Sequence, residues 1–156
     1  MKGIRRILII NGKGGCGKST IATNLAVTYA QQGRRTALLD YDSQASSTDW
    51  AELRTEHLGS STDATSAKAQ AKQRQKPASW SDSGDSLPLQ VIPMHKKVGM
   101  YQTRAFRHQL SGDVERLIID TPSGARERDI DTLIKQCDVV LVPMLSSPLD
   151  IRSGSR

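Results

Sequence analysis

The segment N-G-K-G-G-C-G-K-S at 11–19 constrains the fold more than any other part of the chain. Gly12, Gly17, Lys18 and Ser19 satisfy the spacing G-x-x-x-x-G-K-[ST], and the elements on either side are the ones that spacing requires. Before it, IRRILII at 4–10 ends in an apolar run too short for a buried helix, which reads as a buried parallel strand. After it, Ile21, Ala22, Leu25, Ala26, Tyr29 and Ala30 recur at three- and four-residue spacing, so Lys18 to Gln32 reads as an amphipathic helix that stops at Gly33. Glycines let the backbone turn its N–H groups inward, and the following helix directs its positive end to the same place. Such a loop is a cradle for phosphate oxygens, and side chains at Gly12, Gly14, Gly15 or Gly17 would obstruct it. Lys18 supplies a flexible point charge for β- and γ-phosphates, Ser19 offers a hydroxyl to magnesium, and Thr20 is placed for an α-phosphate. The plainer alternative, a glycine-rich turn with an exposed lysine, leaves the flanking strand and helix as coincidence. Cys16 fits the loop as a small residue; the adjoining helix end could also make it reactive, but no base or redox partner is visible nearby.

The alternation continues along the chain. RTALLDY at 35–41 is a second strand ending in acidic groups, so strand, loop, helix and strand make a right-handed βαβ unit. STDWAELRTE at 47–56 predicts a short helix with Ser or Thr as its cap. LPLQVIP at 87–93, RLIID at 116–120 and DVVLVP at 138–143 read as further strands, the last of them buried. A helix is expected across 101–110, and Ile130, Leu133, Ile134 and Cys137 mark one face of another. The pattern predicts an α/β fold, a mostly parallel sheet flanked by helices on both faces. One stretch breaks it: between 57 and 88 only eight of 32 residues are apolar, five of them Ala, while nine are Ser or Thr. The expectation for 57–86 is a solvated, flexible insertion or a poorly formed helix within a single domain spanning 1–156.

Composition narrows the class. No run approaches the ~18 apolar residues of a membrane span, and the N-terminal residues lack the apolar stretch and small-residue cleavage site of a signal peptide. Two cysteines, Cys16 and Cys137, make neither a disulfide framework nor a zinc cluster, which fits a reducing cytoplasm. Lys and Arg number 22 against 16 Asp and Glu, and the net charge of +6 favours polyanions without identifying one. Three Tyr, two Trp and one Phe leave little on which to stack bases. The basic cluster His95, Lys96, Lys97, Arg104, Arg107 and His108 reads as a solvated face or a DNA contact, and its histidines have no motif partners.

Lys13 makes the loop more specific. K-G-G-C-G-K-S-T at 13–20 resembles the deviant Walker A motif of the ParA and MinD group of P-loop ATPases. In that group the early lysine reaches the phosphates of the partner's nucleotide across an ATP-sandwiched dimer. LLDYDSQASSTDW at 38–50 resembles the family's switch I box, which assigns Asp40 to magnesium through water and Asp42 to the attacking water. Two residues apart on an extended strand end, the carboxylates fall on one side; a solvated turn is the plain reading of the pair. Ser43 stands where the family usually has proline. LIIDTPSG at 117–124 resembles the Walker B and switch II segment, with Asp120 directed to magnesium through water and Pro122 to Gly124 to the γ-phosphate. A strand-terminal acid such as Asp120 lies at the carboxyl edge of a parallel sheet, where these folds bind ligands. DVVLVPMLSSPLDIRS at 138–153 is similar to the next strand and its Pro-rich loop, so the likeness covers almost everything except 57–86.

The resemblance implies a P-loop ATPase core with ATP and magnesium as cofactors. Gly12 to Thr20 would bind phosphates, Ser19, Asp40 and Asp120 the metal, and Lys13, Lys18 and Asp42 would take part in hydrolysis. It further implies a homodimer when ATP-bound, nonspecific nucleoid DNA and a ParB-like adaptor as partners, and partition of plasmid or chromosomal DNA as the role. Positioning of a carboxysome or chemotaxis cluster by the same mechanism is one alternative; a nucleotide-binding module without turnover is another. Against full family members the fold is expected to be incomplete at the C-terminus, where adenine and DNA contacts are carried, and to match the short type without an N-terminal helix-turn-helix. Cys137 does not match the cluster-ligating pattern of the nitrogenase iron proteins, and a tyrosine-rich tail of the bacterial tyrosine kinase type is not expected.

Overall fold

The structure is a computed structural model that describes residues 3–59, 87–94, 110 and 112–147. The insertion expected at 57–86 from residue 60 on, the helix expected at 101–110 apart from its last residue, and the cluster from His95 to His108 lie outside the described residues. Among those described, five strands form one sheet: β1 (Arg5–Ile9), β2 (Thr36–Asp40), β3 (Leu89–Pro93), β4 (Arg116–Asp120) and β5 (Val139–Leu141). Their order is β3-β2-β4-β1-β5, and every neighbouring pair is parallel. Three helices accompany them: α1 (Lys18–Gln31), α2 (Ser46–Gly59) and α3 (Glu127–Ile134).

Alternation along the strands divides the core between two faces. Ile7 and Ile9 of β1, Leu38 of β2 and Ile118 of β4 pack beneath Ala22 and Ala26 of α1, whose small side chains leave room for the larger ones on the sheet. Leu8, Ala37, Leu39, Leu117 and Ile119 form the other face, with Tyr41, Met94, Val114 and Leu133 of α3. Strands buried on both faces must be apolar throughout, which is why β1, β2 and β4 read as runs rather than as alternating patterns. The expected helices on both sides of a parallel sheet are therefore present.

Two expectations are corrected. DVVLVP was expected to be a buried strand over 138–143, but β5 spans three residues at the sheet edge with only β1 beside it among the described residues. Val139 and Leu141 pack on the α1 side, whereas Val140 faces the other way and is 39% exposed. A short apolar run carries no information on whether a strand has one neighbour or two. The helix expected at 47–56 runs from Ser46 to Gly59, so the first three residues of the expected insertion are helical.

Candidate functional site

Parallel pairing brings together three strand ends that are distant in the chain. Ile9, which leads into the glycine loop, is level with Asp120 across β1 and β4, and Asp120 is level with Asp40 across β4 and β2. The glycine loop, the turn after Asp40 and the turn after Asp120 thus leave the same carboxyl edge, where open parallel sheets bind ligands.

The loop has the form its glycines predict. Gly15 and Gly17 adopt φ of 73 and 87°, a left-handed conformation that a β-carbon disfavours, and Gly17 stands at the cap position of α1. No side chain caps α1, so its first N–H groups remain for a ligand. A β-carbon on Gly12, Gly15 or Gly17 would meet nothing within 4 Å, which means the concavity is open. On Gly14 it would come within 3.8 Å of Ser123 Oγ, so the turn after β4 closes one side of the cradle. Lys18 is buried and its Nζ donates to the Lys13 carbonyl at 3.0 Å; the Cys16 thiol donates to the same oxygen at 3.3 Å. Cys16 therefore fills the loop from inside, as a small buried residue, while Lys13 is exposed.

Asn11 escaped the sequence reading. Its Nδ2 donates to the Pro143 carbonyl at 2.7 Å and its Oδ1 accepts from the Lys13 N–H at 2.9 Å, tying the loop to the segment after β5. A polar residue where a buried strand ends was the one available signal, and nothing in the sequence points to its partner 132 positions away.

Asp40 is completely buried and acts first as an anchor for α2. Its Oδ2 accepts from the Thr48 N–H at 2.8 Å and the Thr48 hydroxyl at 2.7 Å, and its Oδ1 accepts from the Asp42 N–H at 3.1 Å. The Ser or Thr expected to cap this helix does not do so. Ala45 precedes Ser46 with φ of 55°, so a carboxylate from the strand supplies the acceptor that alanine lacks. That left-handed backbone costs on the order of 1 kcal/mol for a residue with a β-carbon. It is held by the Ala45 N–H bonding the Asp42 carbonyl and the Asp49 N–H bonding the Ala45 carbonyl, at 2.9 and 2.8 Å. Asp42 lies half-buried in the same turn, where its Oδ1 accepts from the Gln44 N–H at 2.9 Å.

Asp120 is the exceptional group. Its Oδ2 accepts from the Ser47 hydroxyl at 2.7 Å, but Oδ1 is buried and has no hydrogen-bond partner. Burial raises its pKa from the ordinary aspartate value; the Ser47 and Ser19 hydroxyls oppose this, and repulsion from Asp40 and Asp42 adds to it. Ser19 of the loop and all three acids therefore belong to one cluster. A buried carboxylate with a vacant oxygen beside two like charges is unfavourable until a cation joins it. Among the described residues no three His, Cys, Asp or Glu side chains could hold a metal ion by themselves. The cluster suits a hard cation such as magnesium, which keeps several waters and shares phosphate oxygens rather than taking an all-protein cage.

The raised pKa has a consequence for stability. The folded chain keeps the Asp120 proton where the unfolded chain has already lost it, so stability falls as pH climbs from the ordinary carboxylate value to the raised one, and the penalty is complete above it. Asp120→Asn is expected to raise the unfolding midpoint of the nucleotide-free chain at neutral pH, with the advantage shrinking as pH falls through the carboxylate range. A midpoint unchanged at neutral pH would count against a strained carboxylate.

Burial pushes the Cys137 thiol up to about 11, and it forms no disulfide with Cys16. Among the described residues no helix is long and apolar enough to cross a membrane.

An open parallel sheet whose first strand runs through a glycine cradle into a helix, with acids on the neighbouring strand ends, defines a P-loop nucleotide-binding domain. The chain belongs to the CobQ/CobB/MinD/ParA nucleotide binding domain family, which matches residues 7–145. Among curated proteins it is 30% identical over 150 residues to maintenance of carboxysome distribution protein A of Halothiobacillus neapolitanus, covering 96% of this chain and 55% of that protein. It is 25% identical over 161 residues to an iron-sulfur cluster carrier protein of Deinococcus radiodurans, covering 97% and 43%. The chain thus spans about half the length of these relatives or less. Among solved structures, a plasmid partition protein of Borrelia burgdorferi bound to AMPPNP superposes with a TM-score of 0.65 at 22% identity, over 97% of this chain and 67% of that one. The pNOB8 ParA bound to nonspecific DNA does so with a TM-score of 0.65 at 23% identity, over 97% and 57%. At these identities the two structures speak for the fold.

Proposed function

We propose that this chain is a ParA-like ATPase domain that binds ATP with magnesium, dimerises in the ATP-bound state and hydrolyses ATP to drive partition of plasmid or chromosomal DNA. The observation that carries the reading is the buried, unpartnered Oδ1 of Asp120 beside Ser19, at the mouth of an open glycine cradle. In this reading Gly12 to Thr20 enclose the phosphates, and Lys18 leaves the Lys13 carbonyl for the β- and γ-phosphates. Ser19 would hold magnesium, with Asp120 and Asp40 assisting through water. Bound magnesium would neutralise charge on the transferred phosphoryl group. Asp42 orients the attacking water for in-line displacement, and Lys13 crosses to the nucleotide of the partner subunit.

The net charge of +6 and the DNA-bound structural relative support nonspecific nucleoid DNA as a partner, with a ParB-like adaptor and a nucleoid-associated, cytoplasmic location following from the same reading. The carboxysome-distribution relative supports a second reading, in which the same cycle positions a protein assembly. A pair of assays tests the proposal: phosphate release from ATP with and without magnesium, and retention on duplex DNA in ATP and in ADP at rising salt. The expected result is magnesium-dependent release, with ATP-dependent retention that falls steeply with salt. Nucleotide binding without release would leave a binding module, and release without DNA retention would remove the partition role.

A further inference from the structure

The two oxygens of Asp120 are in unlike positions. Oδ2 is 2.7 Å from the hydroxyl of Ser47, itself completely buried, and Oδ1 is buried with no partner. Rotation of an aspartate carboxyl about its last bond is soft, so a carboxylate at a strand end does not orient itself. Among the described residues the Ser47 hydroxyl makes the short, direct hydrogen bond to Oδ2, while the Ser19 hydroxyl of the loop also favours the charged carboxylate and Oδ1 is left over. Ser47 sits in the first turn of α2, and the next residue, Thr48, holds Asp40 through both its N–H and its hydroxyl. The start of α2 is thereby pinned to two adjacent strand ends, which restricts where the Ser47 hydroxyl can stand.

We propose that Ser47 is a positioning residue for the metal: it fixes the Asp120 carboxylate so that the unpartnered oxygen serves magnesium bound with nucleotide. Ser47 touches neither metal nor nucleotide and acts through the hydrogen bond alone, as residues behind metal ligands do elsewhere. The inference rests on the magnesium–nucleotide reading above. It assigns the Ser-Thr pair of α2 a task at the neighbouring strands instead of at the helix's own cap.

The test separates metal from nucleotide. The unfolding midpoint is followed while magnesium is titrated at a fixed concentration of a non-hydrolysable ATP analogue, and again while the analogue is titrated in EDTA. Ser47→Ala is expected to raise the magnesium concentration at half effect by about fivefold, below the tenfold or more that losing a partner directly behind a metal ligand gives, because Asp120 itself reaches the metal through water. Binding of the analogue in EDTA should stay within about twofold of the unsubstituted chain, because the glycine loop is untouched. Ser47→Thr keeps the hydroxyl and should restore the magnesium requirement. An unchanged requirement in Ser47→Ala overturns the inference, and so does an equal loss of affinity in EDTA, which a merely structural role would give. Should Ser47→Ala fail to unfold cooperatively, Ser47→Cys keeps the volume with a weaker donor and faces the same two criteria. If magnesium has no effect on analogue binding by the unsubstituted chain, the parent reading fails first and this one with it.

Discussion

Lys18→Ala is expected to abolish the rise in unfolding midpoint that magnesium-ATP gives the unsubstituted chain. The side chain is already confined to the loop: it is 6% exposed and its Nζ bonds a loop carbonyl, so a phosphate entering the cradle meets a positioned ammonium. Hydrogen bonds to charged groups contribute about 1.5–3 kcal/mol. Losing one lowers affinity by roughly ten- to a hundredfold. Ligand stabilisation follows RT ln(1 + [L]/Kd), so at ATP concentrations a few times the original Kd the shift should vanish. The nucleotide-free midpoint should move little, because the substitution removes a buried charge together with its hydrogen bond. Lys18→Arg preserves the charge but replaces a compact ammonium with a planar fork, and it is expected to lose most of the shift as well. Thermal unfolding with and without magnesium-ATP decides the matter; a retained shift in Lys18→Ala would mean that nucleotide binds elsewhere.

Asp42→Ala should separate binding from turnover. Asp42 accepts a hydrogen bond from the Gln44 N–H, but the turn also has backbone support, the Ala45 N–H on the Asp42 carbonyl at 2.9 Å and the Asp42 N–H on Asp40 at 3.1 Å. The turn should therefore survive, and with it the anchoring of α2 through Asp40. If Asp42 orients the attacking water, phosphate release should fall by about a hundredfold or more, the range for loss of a positioned base, while the magnesium-ATP shift remains. Asp42→Asn keeps the acceptor for Gln44 and is expected to lose turnover to a similar extent, which assigns the effect to the carboxylate. Release within about threefold of the original would exclude Asp42 from the reaction. No release from either chain, with the shift intact, would favour the binding module.

Local features were legible because their causes are local. A strand, four glycines and a helix suffice to specify a phosphate cradle, since left-handed backbone and an uncapped helix start are properties of neighbouring residues. The same holds for Asp40 and Asp120 as acids at strand ends, and for α1 from its spacing of apolar residues. Where the sequence misled, the cause was distant. α2 is capped from β2, so its own serine and threonine are free to bond the strand carboxylates. β5 lies at an edge, which depends on what pairs beside it and leaves no trace in DVVLVP.

What the sequence by itself determined is the set of groups on offer, a glycine loop, a lysine, hydroxyls and strand-end acids, and that a parallel α/β sheet presents them. What only the tertiary structure decided is how those groups meet. β4 enters between β1 and β2, and its register sets Asp120 level with both Ile9 and Asp40. Ser47 and Asp120 then meet 73 positions apart, and Asn11 and Pro143 meet 132 apart. Each of these pairings follows from burying both faces of one sheet at once, a cooperative requirement on the whole core that no short window of sequence contains.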